Sequence, residues 1–387
     1  MRSLPALVAA VLVVLGSIAA EAVVSSPFGF LGEMRGAENQ LTQGLASSAP
    51  TPDSGGGTVV ANVTVGNSPQ GVAHDSGNGY VYVANWGSDT VTVIDGTTVV
   101  ATVPVGRLPR GVGYNGENGY VYVANQGSNT VTVIDGTTVV ATVPVGNNPF
   151  GVGYNSGNGY VYVANYFSNT VSVISGTALV ANVTVGTYPE GVGYNSGNGY
   201  VYVANSVTGN TVTVIDGTTV VATVPVGNNP FGVGYNGGNG YVYVANQGSN
   251  NVTVINGTTV VATVPVRDGP VAVGYNSGNG YVYVANSGTG NTVSVINGTT
   301  VVANVTVGPS PYGVGYNSRN GYVYVANAGS NTVSVISTIG PSSPVLSGLD
   351  PAILATILVA IGAVGVAVAL IAWKRRKAGR PPPEGAP

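Results

Sequence analysis

A repeat of 40 or 41 residues, seven copies of it, and four strand-like runs in each copy predict an all-β fold, a seven-bladed β-propeller. The repeat is marked by NGYVYVAN, which begins at Asn78, Asn118, Asn158, Asn198, Asn239, Asn279 and Asn320. Composition agrees: Gly, Val, Thr, Asn and Tyr dominate and charges are few, as suits strands joined by tight turns.

One copy shows the four runs in order. Strand A is GVGYN (111–115), strand B is GYVYVAN (119–125), strand C is TVTVI (130–134) and strand D is TVVATVPVG (138–146). A and B are joined by a Gly/Asn turn. C and D are separated by Asp-Gly, Asn-Gly or Ser-Gly, and the first two pairs favour two-residue hairpins with positive φ. Both faces of strand B are apolar, as expected for blades sandwiched between neighbours. A lone D-like run, TVVANVTVG (58–66), precedes the first A strand, and no D follows the last C strand. The count predicts closure by pairing the N-terminal D strand into the last blade. An open solenoid is the alternative.

These residues resemble the YVTN-type β-propeller repeat, with GYVYVAN and TVTVID matching its signature over residues 58–337. The resemblance implies a propeller and a setting at prokaryotic cell surfaces, surface-layer-like proteins included. It implies no single activity.

Two apolar segments bracket the propeller. Residues 1–22 read as a signal peptide ending in Ala20-x-Ala22, with an uncleaved N-terminal anchor as the alternative. Residues 352–373 read as one transmembrane helix, followed by Lys374-Arg375-Arg376-Lys377. The positive-inside rule places the tail, 374–387, in the cytoplasm and the propeller outside. Residues 23–57 read as a flexible linker and 338–351 as a short stalk, at most about 45 Å when extended. The expected localisation is a single-pass protein of the cell membrane.

Pro104, Pro144, Pro225 and Pro265 sit at one place in four D strands. The D strand is the outer edge of a blade, and proline blunts such edges. The other three D strands carry N-glycosylation sequons there, at Asn62, Asn182 and Asn304; three more occur at Asn251, Asn256 and Asn297. Chance in a chain rich in Asn and Thr is the competing explanation.

Catalytic chemistry is sparse. There is no cysteine and one histidine, His74, expected to be a partly buried, hydrogen-bonded residue. No paired carboxylates emerge from the repeat, and no cofactor or metal is expected. Both lysines, Lys374 and Lys377, lie in the tail, so the propeller has no basic patch for nucleic acid.

The copies differ mainly in the D–A and B–C connections, which an antiparallel blade places on one face. That face gathers Gln70, Trp86, Arg107, Arg110, Phe150, Tyr166, Phe167, Tyr188, Glu190, Phe231, Arg267, Asp268 and Tyr312. Residues after the connection prolines are expected to ring the channel mouth. The tethers leave from the opposite face, so the variable face looks away from the cell. The expected function is a binding or structural one, towards an extracellular protein or glycan, and not an enzyme's. The alternative is an extracellular enzyme or enzyme subunit, lyase-like or of a redox complex, with a site at the channel mouth. Drift in unconstrained loops would also produce a variable face.

Overall fold

The structure, a computed structural model, describes residues 57–207 and 209–338. The expected signal segment, membrane helix and tail, nearly all of the linker and most of the stalk lie outside the described residues. The described residues hold twenty-eight strands, β1 (Thr58–Thr64) through β28 (Thr332–Ser337), in seven four-stranded antiparallel sheets. They contain no helix.

The first blade runs outward from the axis as β2 (Pro69–His74), β3 (Val81–Asn85), β4 (Thr90–Asp95) and β5 (Thr98–Pro104). Five more blades repeat that order. The last holds β26 (Pro311–Tyr316), β27 (Tyr322–Asn327) and β28, and its outer strand is β1. Antiparallel pairing from Thr58↔Ser337 to Thr64↔Thr332 closes the circle.

Each blade interface is one apolar cluster of nearly the same membership. Between the first two blades, Tyr82, Ala84, Val91, Val93 and Val103 meet Val121, Val123 and Ile134. At the closure, Tyr324, Ala326, Val333, Val335 and Val63 meet Val81, Val83 and Ile94. β1 thus joins the sheet and the core together. The middle strands are buried on both faces, as the apolar reading of strand B requires. Their tyrosines tie neighbours: Tyr82 Oη donates to the Gly136 carbonyl at 2.8 Å, and Tyr324 Oη to Gly96 across the closure at 2.8 Å.

The D–A and B–C connections do share a face. Trp86 N donates to Ser68 O and Gly87 N to Asn67 O, joining the two within one blade. Asp89 Oδ1 accepts from Leu108 N, and Asn331 Oδ1 from Ser68 N, carrying each connection to the next blade. Asp89 and Asn331 have φ near +56° and +57°, a region that short polar side chains enter more readily than others. On the other face, Asp75 Oδ1 accepts from Gly77 N and Asn78 N. Asn155 and Asn195 do the same in their own copies, so this is a turn and not a cation loop.

Pro104 lies on the outer strand of the first blade. It pairs with Thr90, and Val105 N donates inward to Asp89 O. Alternation turns the nitrogen of Pro104 outward, so its missing N–H costs no ladder bond. Every outer strand carries a further device that the sequence reading missed. In β5 the register shifts between Val99 and Ala101, leaving Val100 as an extra residue, and the other six outer strands shift at the same place. Such bulges spoil an edge as a template for further strands.

The outer ladder also records which strands belong together. Ser172 Oγ donates to Asn182 Oδ1, Ser294 Oγ to Asn304 Oδ1, and Ser334 Oγ to Asn62 Oδ1, each at 2.7 Å. The remaining four blades pair Thr with Thr, as in Thr92↔Thr102. Asn62, Asn182 and Asn304 are exposed on the rim, and Asn256 and Asn297 are exposed in hairpins. Asn251 is half-buried, donating to Ser249 O and accepting from Asn246.

The pair at the seam gives a test of closure. Ser334→Thr should destabilise the fold by about 1 kcal/mol, because its added methyl crowds the site and strains the bond to Asn62 Oδ1. Adding Asn62→Thr should recover most of that loss, because Thr–Thr is the alternative used elsewhere. Chemical denaturation of the four-member cycle checks it; additive effects would mean that the two ends do not touch.

Candidate functional site

Each inner strand begins with a buried proline, and the residue after it is where the seven copies differ most: Gln70, Arg110, Phe150, Glu190, Phe231, Val271 and Tyr312. The register explains their placement. Pro69 pairs with Asn85 and Val72 with Val83, so three steps on the inner strand face two on its partner. The irregularity falls at Gln70–Gly71, and bulges of this kind re-aim side chains.

At the next residue, adjacent inner strands leave no room between them. A Cβ on Gly111 would lie 2.1 Å from the Phe150 carbonyl oxygen, and one on Gly191 would lie 2.1 Å from that of Phe231. Glycine is required there by close backbone approach. The result is a cup of about 160 Å³ lined in each blade by the variable residue and the two after it, as in Gln70, Gly71 and Val72.

Arg110 dominates one side of the cup. Its guanidinium carbon lies 3.4 Å from the Phe150 ring centroid, 5.2 Å from that of Tyr312 and 5.9 Å from that of Phe231. Its Nη2 donates to the Tyr312 hydroxyl. Such stacking favours the cation by about 2 kcal/mol where water is excluded. Burial pushes the Tyr312 hydroxyl up to about 12, against the pull of Arg110.

Glu190 is 4% exposed. Its Oε1 lies 2.8 Å from Ser206 Oγ, which also lies 3.1 Å from Tyr188 O. One hydroxyl hydrogen cannot serve both acceptors, and a protonated Glu190 completes the set by donating to Ser206. Burial pushes this carboxyl up to about 7, while Ser206 and Arg110 pull it down. Among the described residues no ion pair within 4.0 Å joins Arg110 to Glu190.

A shelf of aromatic rings leads out from the cup. Centroid distances are 5.5 Å for Tyr312–Phe231, 5.5 Å for Phe231–Phe150, 5.7 Å for Phe150–Tyr166 and 5.1 Å for Tyr166–Phe167. Tyr188 lies 4.9 Å from Tyr166, and Phe167 is 63% exposed. On another sector Trp86 Nε1 donates to Gln126 Oε1 at 2.9 Å.

The sequence-predicted residues therefore separate. Gln70, Arg110, Phe150, Glu190, Phe231 and Tyr312 meet at the cup. Trp86, Tyr166, Phe167 and Tyr188 flank it on the same face. Arg107, Arg267 and Asp268 are exposed in the D–A connections and do not line it. Val271, outside the expected set, also lines the cup, and its place after Pro270 is the signal that marks it. His74 needs a correction. Its Nε2 is buried without a hydrogen-bond partner, and burial lowers its pKa. It ends β2, at the opposite end of that strand from Gln70. Among the described residues, no three of His, Asp and Glu gather as metal ligands.

Glu190 makes stability depend on pH with a definite sign. The folded state holds its proton up to about pH 7, whereas an ordinary glutamate releases it near 4.5. The native form therefore binds more protons between those values, and stability falls as pH rises through them, by on the order of 3 kcal/mol. Glu190→Gln cannot ionise. Its unfolding free energy relative to wild type should be constant below pH 4.5 and rise through the window. Parallel curves up to pH 8 would mean that Glu190 titrates as an ordinary carboxylate.

No protein-family model and no curated protein matches the chain. Solved structures do. Hydrazine synthase from Kuenenia stuttgartiensis superposes with a TM-score of 0.64 at 21% identity, covering 71% of this chain and 97% of that one. A streptogramin B lyase gives 0.63 at 14% identity, covering 71% and 96%. The virginiamycin B lyase from Staphylococcus aureus gives 0.62 at 13% identity, covering 72% and 99%. At these identities the likeness establishes the seven-bladed propeller and nothing finer.

Proposed function

We propose that the chain is a cell-surface binding protein of the YVTN type. Its propeller is held outside by the C-terminal apolar segment, and its variable face binds an extracellular protein or glycan. The observation that carries this reading is the wall of the cup. Seven blades that are otherwise close copies place seven side chains there, of six kinds, while the proline before them recurs in every blade and a small residue, glycine or Ala272, follows. A scaffold needs no such variety at one level of its axis, and a recognition surface does. The aromatic shelf extends the same face with an exposed ring at Phe167. The exposed rim asparagines Asn62, Asn182 and Asn304 suit glycan attachment; Asn251, with its amide engaged, does not.

An enzymatic reading is kept because Arg110, Glu190 and Tyr312 place three ionisable groups in one cup, two of them with strongly raised pKa values. The structural neighbours include lyases, one solved as a catalytically inactive histidine-to-alanine variant with quinupristin. The described residues of this chain hold one histidine, and it does not line the cup. The binding reading accounts for the cup without requiring a general base.

Two measurements test the reading together. On intact cells, added protease should reach the propeller, and adhesion to an array of extracellular glycans and proteins should fall several-fold with Trp86→Ala, Phe150→Ala or Arg110→Gln. A protected propeller, or adhesion unchanged by all three substitutions, would overturn it.

A further inference from the structure

Buried side-chain polar atoms without a partner fall into two sorts among the described residues. Seven are the Oδ1 atoms of Asn85 and its equivalents, one per blade, and belong to the architecture. Of the other five, three line the cup: Gln70 Oε1, Arg110 Nε and Glu190 Oε2. Gln70 is 9% exposed and Glu190 4%. An unpaired buried polar group is costly, and three facing one cavity describe a missing complement.

The complement has a definite chemistry. Arg110 is a fixed cation that keeps an unused N–H after stacking on Phe150 and donating to Tyr312. Glu190 and Gln70 offer acceptors. The acid and the base share the cup without forming an ion pair, and Glu190, which burial keeps protonated up to about pH 7, becomes the opposite charge once it releases its proton. A simple cation would face Arg110, and a simple anion would face Glu190. Phe231 and Val271 supply an apolar wall. The cup offers water centres about 160 Å³, room for on the order of ten water molecules and so enough for a small molecule.

We propose that the cup binds a small zwitterion, a free aliphatic amino acid. Its carboxylate accepts from Arg110, its ammonium donates to Glu190 Oε2 with Gln70 Oε1 as second acceptor, and its side chain lies against Phe231 and Val271. Charge-assisted bonds of this kind orient as well as hold. The inference rests on the binding reading and adds a ligand that the surrounding face does not require.

The test uses the full chain in detergent and titration calorimetry at pH 8, where Glu190 is ionised, with three probes: L-valine, isobutylamine, which lacks its carboxylate, and isovalerate, which lacks its ammonium. L-valine should bind, and each single-charge analogue should bind roughly tenfold more weakly or worse. This comparison is made on the unsubstituted protein, so it does not depend on a variant folding. Arg110→Gln and Glu190→Gln should each weaken L-valine binding by a similar factor. Isobutylamine or isovalerate binding as tightly as L-valine would overturn the proposal, as would no heat from any probe at millimolar concentration. If no probe binds while Trp86→Ala still abolishes adhesion, the zwitterion site falls and the binding face stands.

Discussion

Everything in this molecule depends on one set of main-chain hydrogen bonds, those between β1 and β28. A blade alone is a four-stranded sheet whose middle strands are apolar on both faces, so it needs a neighbour on each side. A row of seven would leave two faces bare. Pairing the first strand with the last removes both, and it adds Val63 to the cluster that joins the seventh blade to the first. The side-chain bond between Ser334 and Asn62 and the Tyr324 bond to Gly96 form only once that seam is shut.

Closure also creates the site. Seven inner strands drawn around one axis approach their neighbours until only glycine, or Ala272 in one blade, fits after the variable residue. The bulge after each proline turns one side chain per blade to the cup. The cup is a by-product of packing, and its chemistry is set by single residues that the packing leaves free. This is why Glu190 and Arg110 sit on inner strands with unpartnered buried atoms.

Strand order, hairpins, closure and the sharing of a face by the variable connections were legible in the sequence, because close repetition makes each copy a control for the others. The outer bulge was not read, although it was written as doubled residues, Val99-Val100 and Leu179-Val180, that break the alternation of the strand. The Ser172–Asn182 and Ser334–Asn62 pairings were also there to read, as a match of Ser on one strand with Asn on the next across the seam. The depth of Glu190 and Gln70 was not legible. It depends on how closely inner strands of different blades approach, which no local pattern records. The orphaned atoms were hidden for the same reason: a missing partner is a property of the assembled cup.

The seam has a temporal side. A chain made from its N-terminus completes β1 first and β28 last, with Asn62 and Ser334 separated by 272 positions. During synthesis the Val-rich segment TVVANVT is an orphan strand with the makings of a sticky one. Contacts of such long separation form slowly. The polar Asn62 therefore interrupts the apolar run of the nascent polypeptide, whereas the bulge at Val60 arises only when β28 arrives to pair with it.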